Sequence, residues 1–138
     1  MTVFDASVLA DALAVAGEPG QAARTALAGI DVLPAPEIFL AEVTSALRGL
    51  VLGAHLAPGR AEGAVHRLRS LRIETYPTEP FLDRIWDLRS NLTVYDACYV
   101  ALAEELDVAL VTADGRLLQA TGPRCPILTP AAFAAGTA

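Results

Sequence analysis

A chain of 138 residues, 54% of them hydrophobic, is long enough to bury one sizeable core and leaves no room for a second domain of ordinary size. All ten basic residues are arginine, which excludes chemistries that need an amine: the Walker-type phosphate loop, Schiff-base catalysis and the receiver-type phospho-acceptor site. A net charge of −6 opposes non-specific adhesion to nucleic acid and favours a basic partner.

Thr2 to Asp5 reads as a short buried strand, followed by a helix from Ser7 to Ala14 and a turn at Gly17-Glu18-Pro19-Gly20. A helix is expected over Gln21 to Ala28 and a strand over Ile30 to Leu33, with Pro34 and Pro36 breaking the chain. A long helix then runs from Glu37 to Leu52 and stops at Gly53. Pro58 suits a first helical position, so Pro58 to Leu71 is the next helix, and Ile73 to Tyr76 the third strand. Helical patterns over Glu79 to Leu88 and Val94 to Leu106 precede a strand at Val108 to Thr112, a short helix after Asp114 and a last strand at Pro126 to Leu128. The Ala-rich tail from Ala131 to Ala138 reads as a short terminal helix or a frayed end. Such alternation predicts parallel strands with helical crossovers on both faces, hence a single α/β domain over residues 1–138 with three α/β/α layers and a central, mostly parallel sheet.

The longest apolar runs are cut by charges well before the roughly 20 residues that a membrane span requires. The first 15 residues lack a basic start and carry Asp5 and Asp11, so a cytoplasmic protein is expected. Cys98 in a predicted helix and Cys125 in a predicted strand form no metal-type pair and read as reduced thiols.

Four carboxylates stand out. Asp5 closes the first strand and Asp114 follows Val-Ala-Leu-Val-Thr-Ala, and in an open parallel sheet ligands bind beyond the carboxyl ends of the strands. Asp5 could instead cap the following helix, Asp96 could complete a capping box with Thr93, and Asp114 could cap the short helix after it. Glu42 has no such ready explanation, because it lies at the rim of an apolar arc made by Phe39, Val43, Ala46, Leu47 and Leu50. Asp96 opens a helix that is apolar around most of its circumference, where a charge needs a partner or an ion, and no lysine exists to supply one. If the four converge, their charges repel by roughly 4 kcal/mol per pair at about 4 Å near a protein surface, a conflict that a hard divalent cation removes.

With Val-Phe-Asp-Ala-Ser at residues 3–7, Leu-Ala-Glu-Val-Thr-Ser-Ala-Leu-Arg at 40–48, Tyr-Asp-Ala-Cys-Tyr-Val-Ala-Leu-Ala at 95–103 and Leu-Val-Thr-Ala-Asp at 110–114, the chain resembles the PIN-domain ribonucleases and, within them, the VapC toxins of prokaryotic toxin–antitoxin pairs. The resemblance covers nearly the whole chain. It implies a cytosolic endoribonuclease that binds Mg²⁺ or Mn²⁺ through Asp5, Glu42, Asp96 and Asp114, cuts single-stranded or looped RNA such as tRNA, rRNA or mRNA, and is blocked by a VapB-type antitoxin. It also implies a homodimer, for which Leu47, Leu50 and Val51 offer apolar helix surface. Ser7 and Thr112 match positions where the family often places a hydroxyl, although each could serve local capping or a turn.

RNA must then be gripped by arginine. Arg60, Arg67, Arg69 and Arg72 could form a stripe along one helix or only a solvated face, and Arg89 could bind phosphate or a surface carboxylate. His55 and His66 are remote from the quartet in sequence and read as surface residues. Two rivals stay open: a different metal-dependent phosphodiesterase, and a non-catalytic RNA- or protein-binding module whose carboxylates only cap helices.

Overall fold

The computed structural model describes residues 1–136, so the last two residues of the predicted tail lie outside it. Five parallel strands, β1 (Val3–Phe4), β2 (Leu33–Pro36), β3 (Ile73–Tyr76), β4 (Leu110–Val111) and β5 (Ile127–Leu128), alternate with helices α1 (Ala6–Ala14), α2 (Gly20–Leu27), α3 (Phe39–Leu52), α4 (Pro58–Leu68), α5 (Leu82–Asp87), α6 (Val94–Leu106), α7 (Gly115–Leu118) and α8 (Pro130–Gly136). β1, β4 and β5 pair in the order β1-β4-β5, β2 pairs with β3, and the two sheets meet where β1 lies against β2. The α/β/α expectation holds. Among the described residues no helix is long and apolar enough to cross a membrane.

The main departure is β2, which forms over Leu33–Pro36 and not over Ile30 to Leu33. The expected proline break does not occur because of parity. Leu33 and Glu37 donate their amides to Arg72 and Tyr76 of the β3 side, at 2.9 Å each, so the odd positions face β3. Pro34 and Pro36 fall on the opposite edge, toward β1, where the missing N–H costs no β2–β3 bond. Pairing with β3 is preserved, and the prolines leave β2 without amides to offer β1.

α6 is the central helix. It packs against β1, β2 and β4, and its residues Ala97 to Ala103 are all buried. Tyr99 and Phe39 meet edge to face at 6.5 Å, while Phe133 of α8 closes over Phe4 in the same geometry at 5.5 Å. α3 starts later than predicted because Glu37 turns aside, accepting the Thr78 amide at 2.7 Å. α4 ends at Leu68, three residues short of the expected Leu71. Pro80 sits in a 3-10 turn (Glu79–Phe81), and α5 begins only after it. Cys98 is buried in α6, Cys125 lies just ahead of β5, and both thiols are free.

The far end of α6 is tied down by charge. Arg84 of α5 donates two hydrogen bonds to Glu104, at 2.7 and 3.0 Å, and a third to the Gly122 carbonyl. Burial would raise the Glu104 pKa, but the Arg84 fork and the Arg124 amide hold it below the usual glutamate range. A carboxyl held below its unfolded value contributes stability that is complete above that value and is lost as pH falls through the folded one. Arg84→Met should cost about 1–3 kcal/mol, since it leaves the half-buried Glu104 with only the Arg124 amide as a partner. Glu104→Gln should flatten the fall in urea-unfolding stability below about pH 4.5, and an unchanged acid limb would show that the pair is not its source.

Candidate metal centre

Three of the four predicted acids converge. A cleft of about 340 Å³ at the carboxyl end of β1 is lined by Asp5, Ser7, Glu42, Ser45 and Asp96 together with two alanines. The register of β1 on β4 places Phe4 opposite Val111, so the next residues, Asp5 and Thr112, stand side by side. Asp5 is 7% exposed and its carboxylate does not cap α1. Its Oδ2 instead accepts the Ser7 hydroxyl at 2.7 Å and the buried Thr112 hydroxyl at 2.9 Å. Those two hydroxyls are oriented in turn by amides, Ala113 donating to Ser7 and Asp114 to Thr112. Ser7 could have been a local cap and Thr112 a strand-end turn residue; both hydroxyls donate to Asp5, and Thr112 also accepts the amide two residues on.

Glu42 enters from the first turn of α3 and Asp96 from the first turn of α6. Thr93 caps α6 by accepting the Asp96 amide at 3.1 Å, which realises one half of the expected capping box and leaves the Asp96 carboxylate to the cleft. Burial raises the Glu42 pKa; the Tyr99 hydroxyl partly offsets this, and the charges of Asp5 and Asp96 add to it. Proximity of that hydroxyl falls short of an aligned hydrogen bond, so Glu42 Oε1 and Tyr99 OH are both buried without a partner. Asp96 is likewise raised, by burial first and then by Asp5 and Asp114, with Thr93 and Arg116 acting the other way. The three carboxylates therefore share one electrostatic problem, and no arginine lines their cleft.

Asp114 is placed differently. It caps α7, its Oδ1 accepting the Arg116 amide at 2.9 Å, and it stands outside the cleft lining although its charge reaches Asp96. Here the capping alternative holds. Among the described residues no three His, Cys, Asp or Glu side chains stand close enough together to hold a metal ion as they are placed. Unneutralised carboxylates that repel one another are expected to stand apart, and Asp5 is further held back by its two hydroxyls. The donor set is nevertheless all oxygen, which suits Mg²⁺ or Mn²⁺.

The remaining predicted residues lie elsewhere. Arg89 folds back on α5, donating to the Trp86 carbonyl and lying 4.6 Å over the Trp86 ring. The arginine stripe is broken, since Arg67 donates to the Leu13 carbonyl at 2.7 Å and Arg72 pairs with Asp31. His55 and His66 are exposed and outside the cleft. Leu47 is buried, and among the α3 positions near it Leu52 carries the exposed apolar surface. Tyr99, Ser45 and Arg116 were not singled out; Tyr99 follows Asp96 by three residues, one helical turn, which was the available signal.

A family model described as PIN domain matches residues 2–123. The chain belongs to the PIN-domain family. Ribonuclease VapC9 of Mycobacterium tuberculosis is 41% identical over 127 residues, which cover 92% of this chain and 96% of the relative, so the membership extends to the VapC-type toxins. Among solved structures, PAE2754 from Pyrobaculum aerophilum superposes with a TM-score of 0.67 at 22% identity, covering 92% of this chain and 82% of that one. FitAB bound to the IR36 DNA fragment gives a TM-score of 0.61 at 19% identity, covering 94% and 95%. At these identities the two structures speak for the shared fold.

The charge conflict in the cleft has a measurable sign. A carboxyl whose folded pKa lies above its unfolded value contributes stability that is complete below the unfolded value and is lost as pH rises through the folded one. The metal-free protein should therefore lose stability as pH rises above the ordinary carboxylate range. Glu42→Gln should raise its melting temperature at pH 7 by a few degrees in the presence of chelator, while leaving it little changed at pH 4. A lower melting temperature for the variant at pH 7 would show that the Glu42 charge is compensated.

Proposed function

We propose that this chain is the toxin of a toxin–antitoxin pair and a Mg²⁺- or Mn²⁺-dependent endoribonuclease, a single domain over residues 1–138 acting in the cytoplasm. The observation that carries the reading is the convergence of Asp5, Glu42 and Asp96 on one cleft at the strand ends of a VapC-type PIN domain. The name ribonuclease borne by VapC9 supports the choice of RNA over another phosphodiester.

Asp5, Glu42 and Asp96 would hold the cation, with Asp114 as a fourth, outer carboxylate acting across Asp96. A bound divalent cation supplies Lewis acidity, making an attacking water acidic at neutral pH and offsetting charge that builds on the phosphate. The chain's own contribution is orientation. Ser7 and Thr112 donate to Asp5 Oδ2, which fixes the orientation of that carboxylate. Glu42 would add a carboxylate from the first turn of α3, and Thr93 sets Asp96 at the mouth of its helix. Hydrolysis then forms a bond from water oxygen to phosphorus and breaks the bond to a ribose oxygen, which leaves protonated. No Ser, Cys or His nucleophile is required.

A VapB-type antitoxin and a homodimer complete the proposal. An open acidic cleft on a chain of net charge −6 attracts a segment bearing arginine, which would neutralise the same carboxylates and block RNA. The apolar groove between α3 and α4, where Val51 and Leu52 sit, is available surface for assembly.

Incubating the protein with a tRNA and rRNA pool should give discrete cuts with Mg²⁺ or Mn²⁺ and none with chelator. Asp96→Asn and Glu42→Gln should each lower the rate on the order of a hundred-fold or more. Cleavage that survives both substitutions would point to a contaminating nuclease, and a folded, metal-bound protein that cuts nothing would favour the binding-module reading. Thr112→Val keeps the shape of the side chain but removes a donor from Asp5, so Mn²⁺ affinity measured by titration calorimetry should fall about 10- to 100-fold.

A further inference from the structure

Five of the ten arginines are already engaged within the fold. Arg24 donates to the Ala12 and Val15 carbonyls, Arg67 to Leu13, Arg72 to Asp31, Arg84 to Glu104 and Arg89 to Trp86. The acidic cleft itself repels phosphate until a cation is bound. Coulombic attraction therefore leaves much of the work of holding an RNA to something else, and base stacking on an aromatic ring is the contribution that does not depend on charge.

One aromatic stands at the right place. Tyr95 immediately precedes Asp96, yet its side chain lies on the surface at the start of an otherwise buried helix and is 59% exposed. It makes no hydrogen bond or ring contact with any described residue. Its ring lines a cleft of about 310 Å³ with Ile38, Ala41, Glu42 and Ser45. Glu42 and Ser45 also line the acidic cleft, so the two depressions adjoin across a shared wall. An apolar floor from Ile38 and Ala41, an open aromatic face and a carboxylate at the junction suit a flat, polar-edged ring whose own phosphate lies over the acids. A paired base cannot enter, because its faces are covered by its neighbours in the duplex.

On the nuclease reading above, we propose that Tyr95 is the stacking platform for one unpaired nucleobase of the RNA, next to the phosphate that is cut. It is a substrate-positioning residue and not a ligand of the acidic site. Selectivity for single-stranded or looped RNA then arises beside the carboxylates, from the ring at Tyr95, and is tolerant of base identity because every base offers a π face.

The test compares the wild type with Tyr95→Phe, Tyr95→Leu and Tyr95→Ala. The probe is an unstructured RNA dodecamer with 2-aminopurine at its centre, bound in Ca²⁺ to limit cleavage, and Mn²⁺ titration of each variant reports on the acidic site. The phenylalanine variant should bind within about two-fold of the wild type and keep the quenching of 2-aminopurine. Leucine and alanine should weaken binding on the order of ten-fold and lose the quenching, with Mn²⁺ affinity unchanged, and the cost on cleavage should fall on KM more than on kcat. Leucine equal to phenylalanine in affinity and quenching, or alanine equal to the wild type, would overturn the stacking role while leaving the nuclease standing. A wild type that takes up Mn²⁺ but neither binds nor cuts RNA would instead overturn the nuclease reading, and the role of Tyr95 with it.

Discussion

A carboxylate that is only 7% exposed has to find donors, and the site is arranged around how Asp5 does so. Its two partners come from opposite ends of the chain: Ser7 from the next turn of backbone and Thr112 from 107 residues away. Only the parallel register of β1 on β4 can bring Thr112 there, and that register depends on α6 packing against both strands. The core, the ladder and the hydroxyls thus converge on one oxygen. Glu42 and Asp96 are then delivered by the first turns of two helices to a cleft whose third wall is already set.

What the cleft lacks is countercharge. Glu42 and Asp96 are both pushed toward protonation by burial and by their neighbours, and Tyr99 gives Glu42 only partial relief. A structure that brings three acids together and leaves an oxygen buried without a partner stores unfavourable energy at that point. Such a conflict is tolerated where a ligand would resolve it, which is what separates these three acids physically from a helix-capping pattern. Asp114 shows the contrast. With the Arg116 amide on its carboxylate it is a satisfied cap, and its share in the site is electrostatic reach toward Asp96.

Much of this was legible in the sequence, and the exceptions have common causes. The strand–helix alternation and the buried character of α6 follow from periodicity, and Glu42 and Asp96 were identifiable because a charge on an apolar arc contradicts its surroundings. Asp5 was ambiguous, since a cap and a ligand occupy the same place at a strand end, and only the third dimension supplies Thr112. The prolines of β2 misled because proline bars a strand only on the edge where its amide is needed, and sequence does not say which edge that is. Arg67 and Arg72 looked like a free stripe because their partners, Leu13 and Asp31, are 54 and 41 residues away. Tyr95 went unremarked for the opposite reason: an aromatic in an apolar helix is expected to be core, and it is not.

The prolines of β2 have a mechanical consequence for the cleft. Hydrogen-bonded ladders are stiff in their own plane, whereas strands that touch without a ladder are held by side-chain packing, which yields under smaller loads. Asp5 continues from β1 and Glu42 follows β2, so the two acids stand on opposite banks of the junction between the paired sheets. The spacing of these two oxygen donors is thereby compliant. The two acids can shift relative to one another without breaking a backbone hydrogen bond, and α6, which packs against β1, β2 and β4, is the element that limits the shift.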